Sequence, residues 1–535
     1  MDTAPPQAVA AIPARHPTIF EPATLALLAV LCVVGAVIGM QLLVTLGVTA
    51  NTSIVGALVA MGLARVPARA FARYRSIHVQ NLAQSAISAA TFGAGNSLLL
   101  PIGIPFLLGR GDLVLPLLGG VALAMLVDAT MLYRLFGTRA FPAEGAWPPG
   151  VAAAEAIRAG DEGGRRVLVL GGGLVAGVAG TSLGIPMSAF GVAFIGNAWA
   201  LTMFGAGLLL RGYSTQLFSG QLFSGVLPGG DIAKAFIPHG IMIGAGLVAL
   251  AQVGLVMSRR GGAGTDAGPR RAFGLGAAAY LGIAVLIALG GGIAAELSTV
   301  MLVAFVLYAA FAALVHELIV GLAAMHSGWF PAFAVALITL IIGMLIGFPP
   351  VALALLVGFS AATGPAFADM GYDLKAGFLL RGSGADPAFE AEGRWQQYLA
   401  ATFAFVVAGV VVLLSYNSYF AQGLVAPVAK VYVATIKAGA TPGVAWQLLL
   451  WAVPGALLQF LGGPTRQLGV LFATGLLILF PAAGWAVLAG VACRLAYGRL
   501  RGAQAQADME VFAGGVIAGD ALTGFASGVA SNLRR

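Results

Sequence analysis

From residue 23 onward the chain is a succession of apolar runs joined by short polar segments, and most of the runs are long enough to cross a bilayer as a helix. A hydrocarbon core about 30 Å thick asks for about 20 apolar residues at a rise of 1.5 Å each. The runs that qualify are 23–48, 113–136, 167–184, 187–210, 239–257, 273–292, 297–321, 329–348, 350–368, 397–415, 443–461 and 467–498. The last is long enough for two spans broken near Pro481. Three further stretches, 51–64, 81–108 and 511–530, are short or interrupted by Gly, Ser and Asn. The pattern predicts an all-α fold, a polytopic transmembrane helical bundle of about 14–16 membrane segments with some re-entrant or broken helices.

Residues 1–22 are rich in proline and lack an apolar core of signal-peptide type, so they read as a cytoplasmic N-terminal tail. Residues 23–535 read as a single integral-membrane domain. An internal repeat is expected, with pseudo-repeat halves near 23–258 and 273–530, because Ser88-Ala-Ala-Thr91 recurs as Ser360-Ala-Ala-Thr363. Two-fold internal symmetry is a common way for membrane carriers to build a central site. A smaller duplication, QLFSG-QLFSG, fills residues 216–225.

Composition agrees with the pattern. Of 535 residues, 59% are hydrophobic and only 9% charged, with a mean hydropathy of +0.95. A soluble domain carries about 25% charged residues, so this chain could not cover its surface in water. The 76 glycines lie largely inside the apolar runs, where small residues let helices approach closely. A net charge of +8 could suggest nucleic acid, but the arginines sit in joints between spans. They group as Arg65, Arg69, Arg73 and Arg75, then Arg158, Arg165 and Arg166, then Arg259, Arg260, Arg270 and Arg271. That is the positive-inside pattern, which places these joints in the cytoplasm and excludes a nucleic-acid role. Only three firm spans separate residues 166 and 258, so either a crossing hides in 211–238 or one of the three is re-entrant. Cys32 and Cys493 both lie in apolar runs and imply neither a disulfide nor a metal site.

Three stretches are too polar for lipid and too apolar for a solvated loop. In 81–105, Asn81, Gln84 and Ser88 share one helical face, and Asn96, Pro101 and Pro105 are expected to interrupt the helix. Such a face lines a cavity or bonds a neighbouring helix. In 141–161, Pro148 and Pro149 can start a helix that carries Glu155 two turns on. This stretch is a membrane-dipping hairpin, an interfacial helix or an ordered cytoplasmic loop. In 360–395, Asp369 and Asp373 form an i,i+4 pair just beyond an apolar run, with Lys375 close behind. Two carboxylates on one face suit proton carriage, and a nearby Lys375 would oppose that; the alternative is a solvated loop with an Asp–Lys pair.

Asp128, Glu317 beside His316, and Asp520 are ionisable residues inside apolar runs. A charge at the bilayer centre costs at least about 2.5–3.5 kcal/mol, which makes each a functional candidate. Gly180-Thr-Ser182-Leu-Gly184 matches the nucleophile-elbow pattern, and an intramembrane hydrolase using Ser182 with a base such as His239 is the rival reading. No strand precedes the motif, and a chain this rich in glycine meets it by chance. His316-Glu317 opens like a zinc-protease motif, but Val320 stands where the second histidine is needed. A channel would show a repeated filter sequence, and none is found.

Several of these segments together resemble the oligopeptide transporter (OPT) family, and within it the yellow stripe-like branch and its bacterial relatives. The residues that carry the resemblance are NLAQSAISA with Asn81, Gln84 and Ser88; FPAEGAWPPGVAAAEAI with Glu155; ADMGYDLKAGFLL with Asp369, Asp373, Lys375 and Gly377; and FAGGVIAGDALTG with Asp520. Asp520 stands where that family more often has Glu, and the NPG and KIPPR motifs of the fungal and plant peptide-transporting branch are absent. The resemblance implies a non-enzymatic, proton-coupled transporter of small peptides or metal–chelate complexes in a bacterial inner membrane. It needs no cofactor beyond the proton gradient and binds no metal of its own. Its partners would be the substrate and the lipid bilayer, with a homo-oligomer compatible. Asn81, Gln84, Ser88 and Asn96 are the expected substrate path. Asp369 and Asp373 are the leading proton-coupling residues, followed by Glu155, Lys375 and Asp128.

Overall fold

The computed structural model describes residues 15–46, 53–67, 69–162, 164–220, 227–258, 267–439, 443–502 and 504–533. Most of the expected N-terminal tail (1–14), Arg259 and Arg260, and the second QLFSG copy (221–225) lie outside the described residues. The described chain is 84% helix, with no strand.

In chain order the helices are α1 (Pro22–Leu46), α2 (Ser53–Ala64), α3 (Ile77–Phe92), α4 (Leu100–Leu107), α5 (Val114–Leu135), α6 (Pro148–Glu162) and α7 (Gly164–Ser182). They continue with α8 (Met187–Val192), α9 (Ala198–Leu217), α10 (Ile237–Ser258), α11 (Ala267–Gly290), α12 (Ile293–Glu296), α13 (Thr299–Ser327) and α14 (Ala332–Ile346). The remainder are α15 (Pro350–Ala362), α16 (Pro365–Leu380), α17 (Pro387–Ala421), α18 (Pro427–Ala438), α19 (Val444–Arg466), α20 (Leu468–Leu477), α21 (Pro481–Arg501) and α22 (Gln504–Leu533).

Among the described residues, eight stretches are long and apolar enough to cross a membrane: Pro22–Val44, Ile77–Leu107, Gly111–Leu135, Pro269–Gly290, Thr299–Ser327, Pro350–Leu380, Pro387–Ala421 and Val444–Arg466. The sequence pattern suggested more segments because several apolar runs fold as shorter helices. With 15 residues, α14 reaches about 22 Å, less than the hydrocarbon core. The run 467–498 divides at Pro481 as expected, into α20 and α21. The run 187–210 is not one span. Its first helix, α8, stops at Val192, and Asn197 then caps α9 by accepting hydrogen bonds from the backbone of Trp199 and Ala200. Between 211 and 238, the described residues hold only the end of α9, a single 3-10 turn at Pro228–Gly230 and the start of α10, so no extra crossing is seen there.

Two of the eight stretches differ from the others in burial. Ile77–Leu107 and Pro350–Leu380 are each 31 residues long, and 100% and 94% of their most apolar 18-residue windows are buried in protein, against 22% for that of Val444–Arg466. They are the centre of the bundle. The first contains a π turn, Gly93–Leu99, in which Leu100 donates its N–H to the Gly95 carbonyl five residues back. The break expected at Asn96, Pro101 and Pro105 therefore does not occur, and the helical path runs on to Leu107. A widened turn supplies the register shift that a proline otherwise forces by its missing N–H and its ring clash. The second stretch does break. Gly364, at φ 96°, separates α15 from α16, and Pro365 opens the new helix. The echoed Ser-Ala-Ala-Thr segments end just before these two irregular turns, at Thr91 and Thr363.

Outside this centre the helices cross on glycine. Along α7 and α22, a Cβ on Gly173 would stand 2.2 Å from the Phe512 carbonyl oxygen, and one on Gly515 would stand 2.1 Å from that of Leu170. Gly177 and Gly519 repeat the arrangement one turn on. This is the small-xxx-small packing that lets two membrane helices touch backbone to backbone. At the other end of the chain, residues from His16 onward are packed rather than free. The His16 ring lies 5.0 Å from that of His78 and 5.3 Å from that of Phe389, and Ile19 donates its N–H to Gln396.

Candidate functional site

The Asn81/Gln84/Ser88 face of α3 packs against α16, and two polar rungs join them. Gln84 donates from Nε2 to Asp373 Oδ1 at 2.5 Å, and Ser88 donates from Oγ to Asp369 Oδ1 at 2.5 Å. Residues 84 and 88 pair with 373 and 369, so the helices run antiparallel and each rung lies one turn, about 6 Å, from the next. The i,i+4 spacing on both helices is what makes the rungs match. By the same register Asn81 falls opposite Ala376 and Gly377, which offer no polar side chain. Asn81 is fully buried, and neither its Oδ1 nor its Nδ2 has a hydrogen-bond partner among the described residues. The same holds for Gln84 Oε1, Asp369 Oδ2 and Asp373 Oδ2. Buried polar atoms are nearly always bonded, so such a cluster makes this a candidate site. Asp369 and Asp373 lie within a buried span and not in a solvated loop.

A second group of polar side chains holds this ladder in register. Gln397 of α17 donates from Nε2 to the Asp373 carbonyl at 2.6 Å and to Ser85 Oγ at 3.1 Å. Its Oε1 accepts from Arg381 at 2.7 Å, and Arg381 also forms a two-pronged ion pair with Glu390 at 2.7 and 3.0 Å. Gly377 makes room for this: a Cβ there would be 1.9 Å from Gln397 Oε1. Gly371, between the two aspartates, has the same role for the indole of Trp147, which a Cβ would meet at 2.1 Å. Arg381, Glu390 and Gln397 escaped the sequence reading. Nothing in a polar stretch between two apolar runs indicates that its arginine will be wholly buried.

The other expected residues lie elsewhere. Lys375 was expected to act on the aspartate pair. Two residues on from Asp373, it is turned by about 200° around α16. Its Nζ donates to the Ala143 carbonyl at 2.9 Å and sits 5.6 Å from the Phe378 ring centre, so its bonds go to the 141–147 segment. Glu155 is buried on α6, which begins at Pro148 as expected, and it is held by ion pairs from Arg158 and Arg166. Asp128 belongs to a separate cluster with Tyr280 and Glu317. Asn96 is buried in the π turn, about two turns beyond Ser88. Asp520 accepts from the Thr181 hydroxyl at 2.5 Å and from the Ser188 N–H at 3.0 Å, tying α22 to the α7–α8 joint.

The hydrolase pair does not assemble. Ser182 is exposed and donates to the Val178 carbonyl one turn back, at 2.7 Å. Among the described residues no hydrogen bond joins it to a histidine, and the ring nearest His239 is that of Phe236, at 5.7 Å. Ser182→Ala is expected to leave expression and transport at wild-type levels. Loss of transport by a protein that still inserts and purifies normally would return the serine to consideration.

Open crevices occur between helices near the surface, away from the ladder. One of about 380 Å³ lies between α5 and α11, lined by residues such as Leu126, Met131 and Ile283. Another, of about 570 Å³, is lined by Phe194, Tyr497 and Phe512, with Arg165 and Asp508 also on its wall.

A many-span helical bundle in which one of the two most enclosed stretches carries paired carboxylates, bonded only by neutral side chains, fits a membrane transport protein. The family model described as OPT oligopeptide transporter protein matches residues 23–258 and 271–531. The chain belongs to the OPT family, whose members carry oligopeptides across membranes, and it is an integral, multi-pass membrane protein. A comparison with curated proteins returns no match.

Proposed function

We propose that this protein is a secondary-active, proton-coupled transporter of small peptides or metal–chelate complexes across a bacterial inner membrane. The observation that carries the reading is the Gln84–Asp373 and Ser88–Asp369 ladder. Both carboxylates are buried and accept only from neutral donors, with no cation bonded to either among the described residues. Burying two such charges side by side is costly, and a proton taken up by the pair removes one of them. Each carboxylate keeps one orphaned oxygen, and Asn81 keeps both its donor and its acceptor. Asn81 and Gln84 can therefore exchange hydrogen bonds with the backbone-like amides of a peptide or the carboxylates of a chelator while the aspartates hold or release the proton. The proton gradient is the energy source, and no cofactor takes part.

Purified protein in liposomes with an imposed pH gradient tests this reading directly. Accumulation of a small peptide or of a metal–chelate complex, collapsing when a protonophore is added, is the expected result. Uptake of either class that is indifferent to the gradient would remove the proton from the mechanism.

The arginine-rich joints at 65–75 and 258–272 support a cytoplasmic placement for both. With Cys32 and the exposed Cys493 replaced, single cysteines in these joints should resist an impermeant thiol reagent in intact cells. Rapid labelling at either joint reverses the orientation.

A further inference from the structure

Asp128, Tyr280 and Glu317 come from α5, α11 and α13, and all three are fully buried. The Tyr280 hydroxyl lies 2.5 Å from Asp128 Oδ1 and 3.0 Å from Glu317 Oε2. A phenol carries one hydrogen and can donate to only one of two carboxyl groups. If it donates to Asp128, the contact with Glu317 is oxygen against oxygen, and it becomes a bond only when Glu317 carries a proton and donates to the phenol. The mirror-image arrangement requires the proton on Asp128. Either way the cluster closes with one proton more than two carboxylates and a phenol hold by themselves.

The surroundings supply no other neutralising charge. Among the described residues no lysine or arginine bonds to Asp128, Tyr280 or Glu317. On α13 the neighbouring His316 turns away, its Nδ1 3.2 Å from Ser360 Oγ of α15. On α16 the nearest carboxylate along the chain, Asp369, is bonded to Ser88.

The cluster also touches the break in the central helix. Gly364 donates its N–H to Asp128 Oδ2 at 2.9 Å. That amide is at the N-terminus of the 16-residue α16, where an anionic acceptor is favoured by the helix dipole and satisfies an otherwise orphaned donor. Asp369 and Asp373 lie one and two turns further along the same helix.

We propose that Asp128, Tyr280 and Glu317 form a second proton-binding site, and that the position of its proton is read by the helix break at Gly364. In one state Glu317 is the acid, Tyr280 relays, and Asp128 is the carboxylate that anchors Gly364. In the other, the phenol passes its proton to Asp128 and takes the one from Glu317. The phenol is unchanged, one carboxyl gains what the other loses, and the anchor on α16 weakens. The inference does not rest on Asp369 and Asp373 carrying the transported proton.

Two measurements that need no transport test it. Infrared spectra of the purified protein at neutral pH should show a protonated-carboxyl stretch that Glu317→Gln removes and Tyr280→Phe shifts. Asp369→Asn, the control, should leave that band in place. In hydrogen–deuterium exchange, amides around 361–368 should exchange at least tenfold faster in Asp128→Ala than in wild type. Asp128→Asn, which keeps a carbonyl for the Gly364 N–H but lacks the charge, as protonated Asp128 does, should exchange at a rate between the two, and Glu317→Gln should not alter the wild-type rate. A carboxyl region identical in wild type and Glu317→Gln overturns the shared proton. Unchanged exchange in Asp128→Ala overturns the anchor. If Asp128→Ala does not fold, the infrared comparison of Glu317→Gln and Tyr280→Phe, which preserve size and shape, decides the proposal.

Discussion

Replacing Asp369 and Asp373 together by Asn is expected to abolish accumulation driven by a pH gradient, bringing it to the level of empty liposomes. Asn keeps the size of each side chain and an oxygen to accept from Ser88 or Gln84, so the α3–α16 contact should survive. What disappears is the only group at either rung that can take up and release a proton. Exchange of labelled for unlabelled substrate at equal concentrations moves no net proton and should persist in the double variant. The single variants separate the two rungs, since the residue that titrates during transport should reproduce the double-variant loss by itself. Full gradient-driven uptake in both single variants would reduce the ladder to a structural contact. Lys375→Ala should leave the pH optimum of uptake unshifted, because its ammonium is committed to the Ala143 carbonyl on the far side of α16.

The second large effect is expected at Arg381, and it concerns stability. Arg381→Ala leaves the carboxylate of Glu390, whose side chain is only 12% exposed, without the guanidinium that holds it by two bonds. Removing one partner of a buried ion pair costs about 3–5 kcal/mol, most of it from the stranded charge. The loss also frees Gln397 Oε1 and with it the clamp on the Asp373 carbonyl. A clear fall in the unfolding temperature of the detergent-purified protein is the expected readout. Removing both charges, with Arg381→Met and Glu390→Met combined, should recover most of that loss, since no isolated charge remains. Equal melting of wild type and Arg381→Ala would show that the pair contributes nothing to the fold.

Much of the architecture could be read along the chain. Apolar runs of span length, the break at Pro481, the start of α6 at Pro148 and the polar face of α3 all follow from local rules of length, proline geometry and helical period. The same rules misjudged two places. Pro101 and Pro105 looked like helix breakers, yet a π turn just ahead of them carries the helix through. The run 187–210 looked like one span, yet Asn197 caps a new helix in its middle. In each case the outcome depends on whether neighbouring helices bury and satisfy the irregular turn, which periodicity does not record.

For the site the division is sharper. By itself the sequence determined that the protein lives in a bilayer, that Asn81, Gln84 and Ser88 share a face, and that Asp369 and Asp373 share another. These are consequences of composition and of 3.6 residues per turn. Only the tertiary structure decided that the two faces meet, 281 and 289 residues apart along the chain at the two rungs. It also turned Lys375 away from the pair and gave Glu155 to two arginines. Finally, it brought Asp128, Tyr280 and Glu317 from three helices onto a single phenol oxygen. The reason is physical: a helix sets which side chains lie together on its own surface, while their partners across it are set by how the helices pack. Between α7 and α22 that packing is set where Gly173, Gly177, Gly515 and Gly519 let one backbone approach the other.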